Sequence, residues 1–207
     1  MKVILVAVSS LDGKITKGDD TNIYSWTSKE DAKLFFSLIK KHNLIVMGRE
    51  TYEAARPIIK LIPHKLRIVL TRNPERFKRF KVLGQLEFTK ESPSELVKRM
   101  ETQGYETMLL IGGSVISSLF FKENKIDEVW VTLEPYIFGR GKNLVEESNL
   151  NLTLKLINLT KLNKKGTLLL KYSVVKPKLH FVVKYASYGK RKSFFKTCRS
   201  RSAFNRS

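Results

Sequence analysis

Thr107-Met108-Leu109-Leu110-Ile111-Gly112-Gly113-Ser114-Val115 is the stretch on which the fold turns. Thr107 to Ile111 is an unbroken apolar run, the pattern of a strand covered on both faces. Gly112-Gly113 ends it. Beyond Ser114, Val115, Ile116, Leu119 and Phe120 recur at helical spacing. A doubly covered strand that runs directly into a helix is part of a β-α-β unit, so the sheet is expected to be mostly parallel.

The same rhythm extends in both directions. Lys2 to Ser9 is a β-rich apolar run, followed by a polar stretch from Ser10 to Thr27. Thr27-Ser28-Lys29-Glu30 has capping-box spacing and predicts a helix with Leu34, Phe35, Leu38 and Ile39 on one face. Leu44 to Met47 reads as a short buried strand, and a small helix starts near Arg49 and stops before Pro57. Arg67 to Thr71 and Gln85 to Thr89 are further strands. Pro93 to Thr102 is a helix opened by Ser92. Past the Gly112-Gly113 unit, Ile126 to Leu133 is a strand. Leu152 to Leu162 and Thr167 to Val175 form a hairpin around Asn163-Lys164-Lys165-Gly166. The expected architecture is a three-layer α/β domain over residues 1–176, with a mostly parallel sheet and an antiparallel hairpin at one edge.

Composition narrows the function classes. The 207 residues are 42% hydrophobic and 28% charged, which excludes global disorder. One cysteine, Cys198, excludes a disulfide framework, and three scattered histidines argue against a metal site. No apolar run approaches a membrane span, so no membrane partner is expected and a cytoplasmic location is the default. Residues 178–207 hold nine lysines and arginines and no acid. The body then has 30 bases against 19 acids, a net +11, and the tail carries +9. A positive body attracts anionic small molecules as well as nucleic acid. The segment 177–207 is expected to be a poorly ordered basic extension or the product of a shifted reading frame. A nucleic-acid-binding arm is the competing reading, because Tyr188, Phe194, Phe195 and Phe204 lie among its bases.

Open α/β sheets bind ligands beyond the carboxyl ends of their strands. Three such loops look suited to phosphate. Gly112-Gly113 lets a backbone approach an anion at a helix start; Gly48-Arg49 adds a guanidinium; Thr71-Arg72 adds a hydroxyl and a second guanidinium. With no acid read as standing beside the two arginines to accept a ribose hydroxyl, the set suits NADPH better than NADH. No G-x-G-x-x-G follows the first strand, which disfavours a Rossmann dehydrogenase.

These residues also carry a resemblance. Trp26, Asp31 and Phe35, then Val46-Met47-Gly48-Arg49-Glu50-Thr51-Tyr52-Glu53, Ile111-Gly112-Gly113 and Val131-Thr132 resemble the dihydrofolate reductase superfamily. Ser10-Leu11-Asp12-Gly13, Ile126-Asp127-Glu128-Val129, Pro135 and Phe138-Gly139-Arg140-Gly141 resemble its sister branch, the reductase (RibD C-terminal) domain of riboflavin biosynthesis. The resemblance spans residues 1–175 and implies an eight-stranded sheet with NADPH across the strand ends. Gly48, Arg49 and Thr51 would hold phosphate from one side, and Thr71 and Arg72 would take the adenosine 2′-phosphate. Gly112, Gly113, Ser114 and Val115 would cradle the pyrophosphate, and the Ala7 backbone would meet the nicotinamide carboxamide. Residues 10–24 would form a mobile loop over the ring. Asp31 would be the catalytic carboxyl that fixes and helps protonate a heterocyclic substrate, hydrogen-bonded by Thr132, with Trp26 and Phe35 around the pocket.

The chain departs from both branches. Lys65 stands where folate reductases usually carry an arginine for the substrate's glutamate, and Tyr52 to Pro57 lacks the Asp-x-Pro element usual in riboflavin reductases. It also lacks a deaminase's His/Cys zinc motif, which implies a stand-alone reductase. The leading expectation is an NADPH-dependent reductase of a pyrimidine or pteridine, most like 5-amino-6-(5-phosphoribosylamino)uracil reductase. The alternatives are a dihydrofolate reductase and a non-catalytic nucleotide-binding protein with a nucleic-acid-binding tail. The oligomeric state, monomer or homodimer, is open.

Overall fold

Strands rich in Val, Ile and Leu alternate with amphipathic helices, and the central strands divide their side chains between two apolar layers. The computed structural model describes residues 1–20 and 22–176. The expected basic tail, its disorder and its affinity for nucleic acid lie outside the described residues. In chain order the elements are β1 (Lys2–Ser10), α1 (Lys29–Lys41), β2 (Leu44–Gly48), α2 (Arg49–Ala55), β3 (Leu66–Leu70), β4 (Leu86–Thr89) and α3 (Pro93–Thr102). There follow β5 (Thr107–Leu110), α4 (Ser114–Lys122), β6 (Glu128–Glu134), β7 (Thr153–Lys161) and β8 (Leu168–Val175). Two short 3₁₀ helices, Ile23–Ser25 and Pro74–Phe80, were not legible in the sequence. No described helix is long and apolar enough to cross a membrane.

The eight strands form one sheet in the order β4-β3-β2-β5-β1-β6-β8-β7. The first six are parallel, and β8 and β7 run antiparallel, as the hairpin pattern predicts. Alternation then builds three layers. Val3, Leu5, Leu44, Val46, Ile68 and Leu110 join Leu96, Met100 and Phe120 of α3 and α4 on one side. Ile4, Val6, Ile45, Met47, Val69 and Leu109 join Leu38 of α1 and Tyr52 of α2 on the other. β7 forms an edge and is exposed along its whole length; Lys155, Lys161 and a bulge between Leu156 and Asn158 interrupt that edge.

The start of α1 differs from expectation. Ser28 is the N-cap, accepting from the Asp31 amide at 3.2 Å, so the cap sits one residue later than the Thr27-to-Glu30 spacing suggests. Glu30 does not reach back to the cap; its carboxylate accepts from Asn163 at 3.2 Å. A capping box forms instead at α3, between Ser92 and Glu95.

Two junctions fix the ends of the domain. At the strand starts, Asp127 binds both ends of the body: its carboxylate accepts from the Val3 amide at 2.8 Å and from Lys176. At the strand ends, Gly48 N–H donates to Gly112 C=O at 2.8 Å, so β2 and β5 stay joined beyond their last ladder pair. A Cβ on Gly48 would lie 2.8 Å from Cγ1 of Ile116 on α4. Gly48→Ala is therefore expected to destabilise the protein by about 1–3 kcal/mol in urea unfolding, the usual cost of overpacking. Combined with Ile116→Ala, the loss should be less than the sum of the two singles, because the second change removes the clashing atom.

Candidate active site

The sheet opens where β5 leaves β1. Their pairing ends at Leu5–Leu110, whereas β1 stays paired with β6 through Ser10–Glu134. The β5-facing edge of Val6 to Ser10, Ala7 included, therefore has no strand beside it. Gly48 and Gly112 hold β5 to β2, and the opening lies at the point where the strand order reverses.

One side of the opening is the glycine turn. Gly112 has φ of 82° and the Gly112–Gly113 peptide is cis. Gly113 is the N-cap of α4 without a side-chain cap, and a Cβ there would lie 3.6 Å from the Thr51 hydroxyl. Thr51, Gly48, Gly112 and Gly113 thus meet in one place, where a backbone cradle faces the open start of α4. Ser114 is buried and its hydroxyl donates to Glu146, while Val115 is half exposed beside it. The residues read as phosphate-binding from the β2 and β3 loops differ in how free they are. Arg49 is half exposed, but its guanidinium donates to Glu53 at 2.6 Å and to Glu50 at 3.4 Å. The sequence reading that no acid stands beside the arginines is thus wrong for Arg49: one helical turn brings Glu53 onto the same face. A phosphate at Arg49 must displace these carboxylates. Arg72 is exposed and makes no hydrogen bond or ion pair among the described residues, and Thr71 beside it accepts from the Asn73 amide at 3.3 Å.

On the other side α1 lies over β6. Asp31 is only 7% exposed and accepts a hydrogen bond from the Thr132 hydroxyl. Thr132 is the register partner of Val8, so this carboxyl sits next to the unpaired stretch of β1. Burial pushes the Asp31 carboxyl up to about 6; the Thr132 hydrogen bond opposes this and the charge of Glu134 adds to it. Phe35, one turn along α1, is half-buried in the same apolar layer. Trp26 is buried, its ring edge-on to Phe138 at 5.1 Å, and its indole N–H has no acceptor among the described residues.

Two loops wall the opening. Of residues 10–24, expected to be a mobile loop, the first part, 10–18, is bound to residues 136–142. Leu11, Ile15 and Gly18 amides donate to the carbonyls of Tyr136, Lys142 and Arg140. Asp12 accepts from Ser10 Oγ at 2.6 Å and from the Phe138 and Gly139 amides at 3.1 and 2.7 Å. Those hydrogen bonds, Ser10 first, hold its carboxyl down at about 2. The family-like Phe138-Gly139-Arg140-Gly141 segment thus serves as the strap for this loop.

Sequence reasoning missed Glu134. It is 2% exposed and accepts from the Ser28 amide and from the Thr167 hydroxyl, both at 2.7 Å. The signal was present: Trp130, Thr132 and Glu134 alternate along β6, so Glu134 shares the face of Thr132.

The raised Asp31 value has a thermodynamic consequence. The folded protein holds this proton more tightly than the unfolded chain, so the associated stability is full below the ordinary value of 3.8 and is lost as pH rises through about 6. Asp31→Asn should raise stability by about 1–3 kcal/mol at neutral pH and by nothing near pH 3, as read by thermal melts across pH.

The chain is 28% identical over 171 residues to the uncharacterized protein YwjB of Bacillus subtilis, covering 80% of this chain and 90% of that protein. Its fold is that of a pyrimidine reductase-like protein from Corynebacterium diphtheriae, with TM-score 0.70, 14% identity and coverage of 85% of this chain and 92% of the other. It is also that of the dihydrofolate reductase from Enterococcus faecalis complexed with NADP(H), with TM-score 0.56, 19% identity and coverage of 84% and 97%. The RibD C-terminal domain model matches residues 1–168, which carry both walls of the opening and the sheet between them, and the chain belongs to that family.

Proposed function

We propose that this chain is an NADPH-dependent reductase of a pyrimidine or pteridine, most like the 5-amino-6-(5-phosphoribosylamino)uracil reductase of riboflavin biosynthesis. The observation that carries the reading is a buried carboxyl, poised near neutrality, beside the unpaired stretch of β1 and across the opening from a glycine cradle. The cradle fits the cofactor: Gly112, Gly113 and Thr51 would hold its pyrophosphate, with the amides at the start of α4, and Arg72 would meet the 2′-phosphate. Bound there, NADPH supplies a hydride.

The chain's own residues supply the rest. Asp31 would hold a proton at a nitrogen of the substrate, which hydride addition to a C=N bond requires. Thr132 aims that carboxyl. Trp26 closes the pocket, and its indole N–H, which has no acceptor among the described residues, offers a donor to a substrate oxygen. A folate substrate is the less favoured reading. Lys65, at the position expected to grip its glutamate, is buried and donates to the carbonyls of Ile39, Lys40 and His42 at the end of α1.

Loss of NADPH absorbance with an aminopyrimidine or dihydropteridine substrate tests the assignment. Asp31→Asn should lower turnover by roughly 10²–10⁴-fold without changing NADPH affinity, and mild acid should restore part of it. Near-normal turnover in that variant would move the proton source to solvent or substrate. Arg72→Ala should abolish a preference for NADPH over NADH; equal affinity of the wild type for both would remove the 2′-phosphate assignment. A chain that binds NADPH but oxidises it with no substrate would be the non-catalytic nucleotide binder.

A further inference from the structure

We infer that Glu134 is the positioning residue for Asp31, taking over the capping duty of that carboxyl so that it stays free to face the pocket. The inference rests on the reading of Asp31 as the group that meets the substrate. Asp31 occupies the third position of α1, counted from the Ser28 cap. In a capping box the acid at that position reaches back to the amide of the cap. Here that amide donates to Glu134 across the sheet at 2.7 Å. The donor that would draw Asp31 back along its own helix is already satisfied, and the Asp31 carboxyl turns to Thr132.

Glu134 is itself fixed from the hairpin. Its second oxygen accepts from Thr167, whose hydroxyl and amide meet Asn163 at 2.9 and 3.2 Å; Asn163 also donates to Glu30 of α1. The turn between β7 and β8 thus reaches the first turn of α1 by two routes, through Glu134 and through Glu30. Glu134 stands two residues from Thr132 on one face of β6, so the strand sets the spacing of the two groups that hold α1. The titratable groups facing Asp31 are Glu134 from β6 and Tyr24 from the 3₁₀ turn, whose phenol is raised by its own burial and by the Asp31 charge. Neither Asp31 nor Glu134 forms an ion pair with a described lysine or arginine. The like charge of Glu134 therefore favours a protonated Asp31.

Two variants separate position from charge. Glu134→Gln keeps an oxygen for the Ser28 amide and removes the charge; Glu134→Ala removes both. Carboxyl NMR titration of Asp31 and hydrogen exchange of the Ser28 amide read the effects without any substrate. In Glu134→Gln the Asp31 midpoint should fall by roughly half a pH unit or more, the pH profile of kcat/KM should move the same way, and Ser28 should stay protected. In Glu134→Ala, Ser28 exchange should rise by roughly tenfold or more, and kcat should fall across the pH range with NADPH affinity unchanged. If the alanine variant does not fold, Thr167→Val, which loosens Glu134 from the hairpin, should give a weaker form of the same loss. An Asp31 titration unmoved by glutamine, or a Ser28 amide equally protected without Glu134, would overturn the inference. If these shifts appear while Asp31→Asn turns over normally, Glu134 still positions Asp31, and it is the reductase assignment that fails.

Discussion

Gly48 and Gly112 must lie backbone to backbone, and the rest of the site follows from that approach. Their hydrogen bond carries β5 onward with β2 after it has parted from β1. A sheet that twists as it widens would close again if β5 kept pairing on both sides. Because it does not, β1 runs five residues further, Val6 to Ser10, with one edge free of strands, and that edge floors the opening. The same contact sets Thr51 of α2 against Gly113 at the start of α4. A side chain at Gly48 would press on Ile116 and separate them, so the glycine is needed here for close approach and not for a turn.

The opposite wall is held by polar groups. Asp31, Glu134, Thr132 and Thr167 are all buried, and each hydrogen-bonds to at least one other member of the set. Burying carboxyls costs stability unless donors surround them. Glu134 has two donors from two different elements. Asp31 has one from Thr132 and keeps capacity for a ligand. The less satisfied carboxyl is the one beside the opening, where a partly unsatisfied acid is of use to chemistry and a liability to the fold.

Much of this was legible in the sequence, for reasons that can be named. The sheet, its parallel body and the closing hairpin follow from the unbroken apolar run at Thr107 to Ile111 and from the alternation after Leu152. Asp31 stood out through its company, Trp26 and Phe35, and the glycine pair through its place between strand and helix. What escaped was set by distant partners. The Ser28 cap amide is held by Glu134, 106 residues away, and local spacing alone favoured Thr27. The strap between residues 10–18 and 136–142 depends on Asp12 meeting amides 126 and 127 positions on. Arg49 read as a free cation because its carboxylate partners follow on the same short helix. The 3₁₀ turns, with few residues each, leave no periodicity to detect.

The Asp127 junction has a consequence for how such a domain can be inherited. One carboxylate binds the amide of Val3 and the side chain of Lys176, so the start of the first strand and the end of the last come together across the start of β6. They do so at the strand starts, the rim of the sheet away from the opening. A domain with adjoining ends can be grafted into a host polypeptide, or cut open elsewhere and rejoined through a brief linker, at little conformational cost.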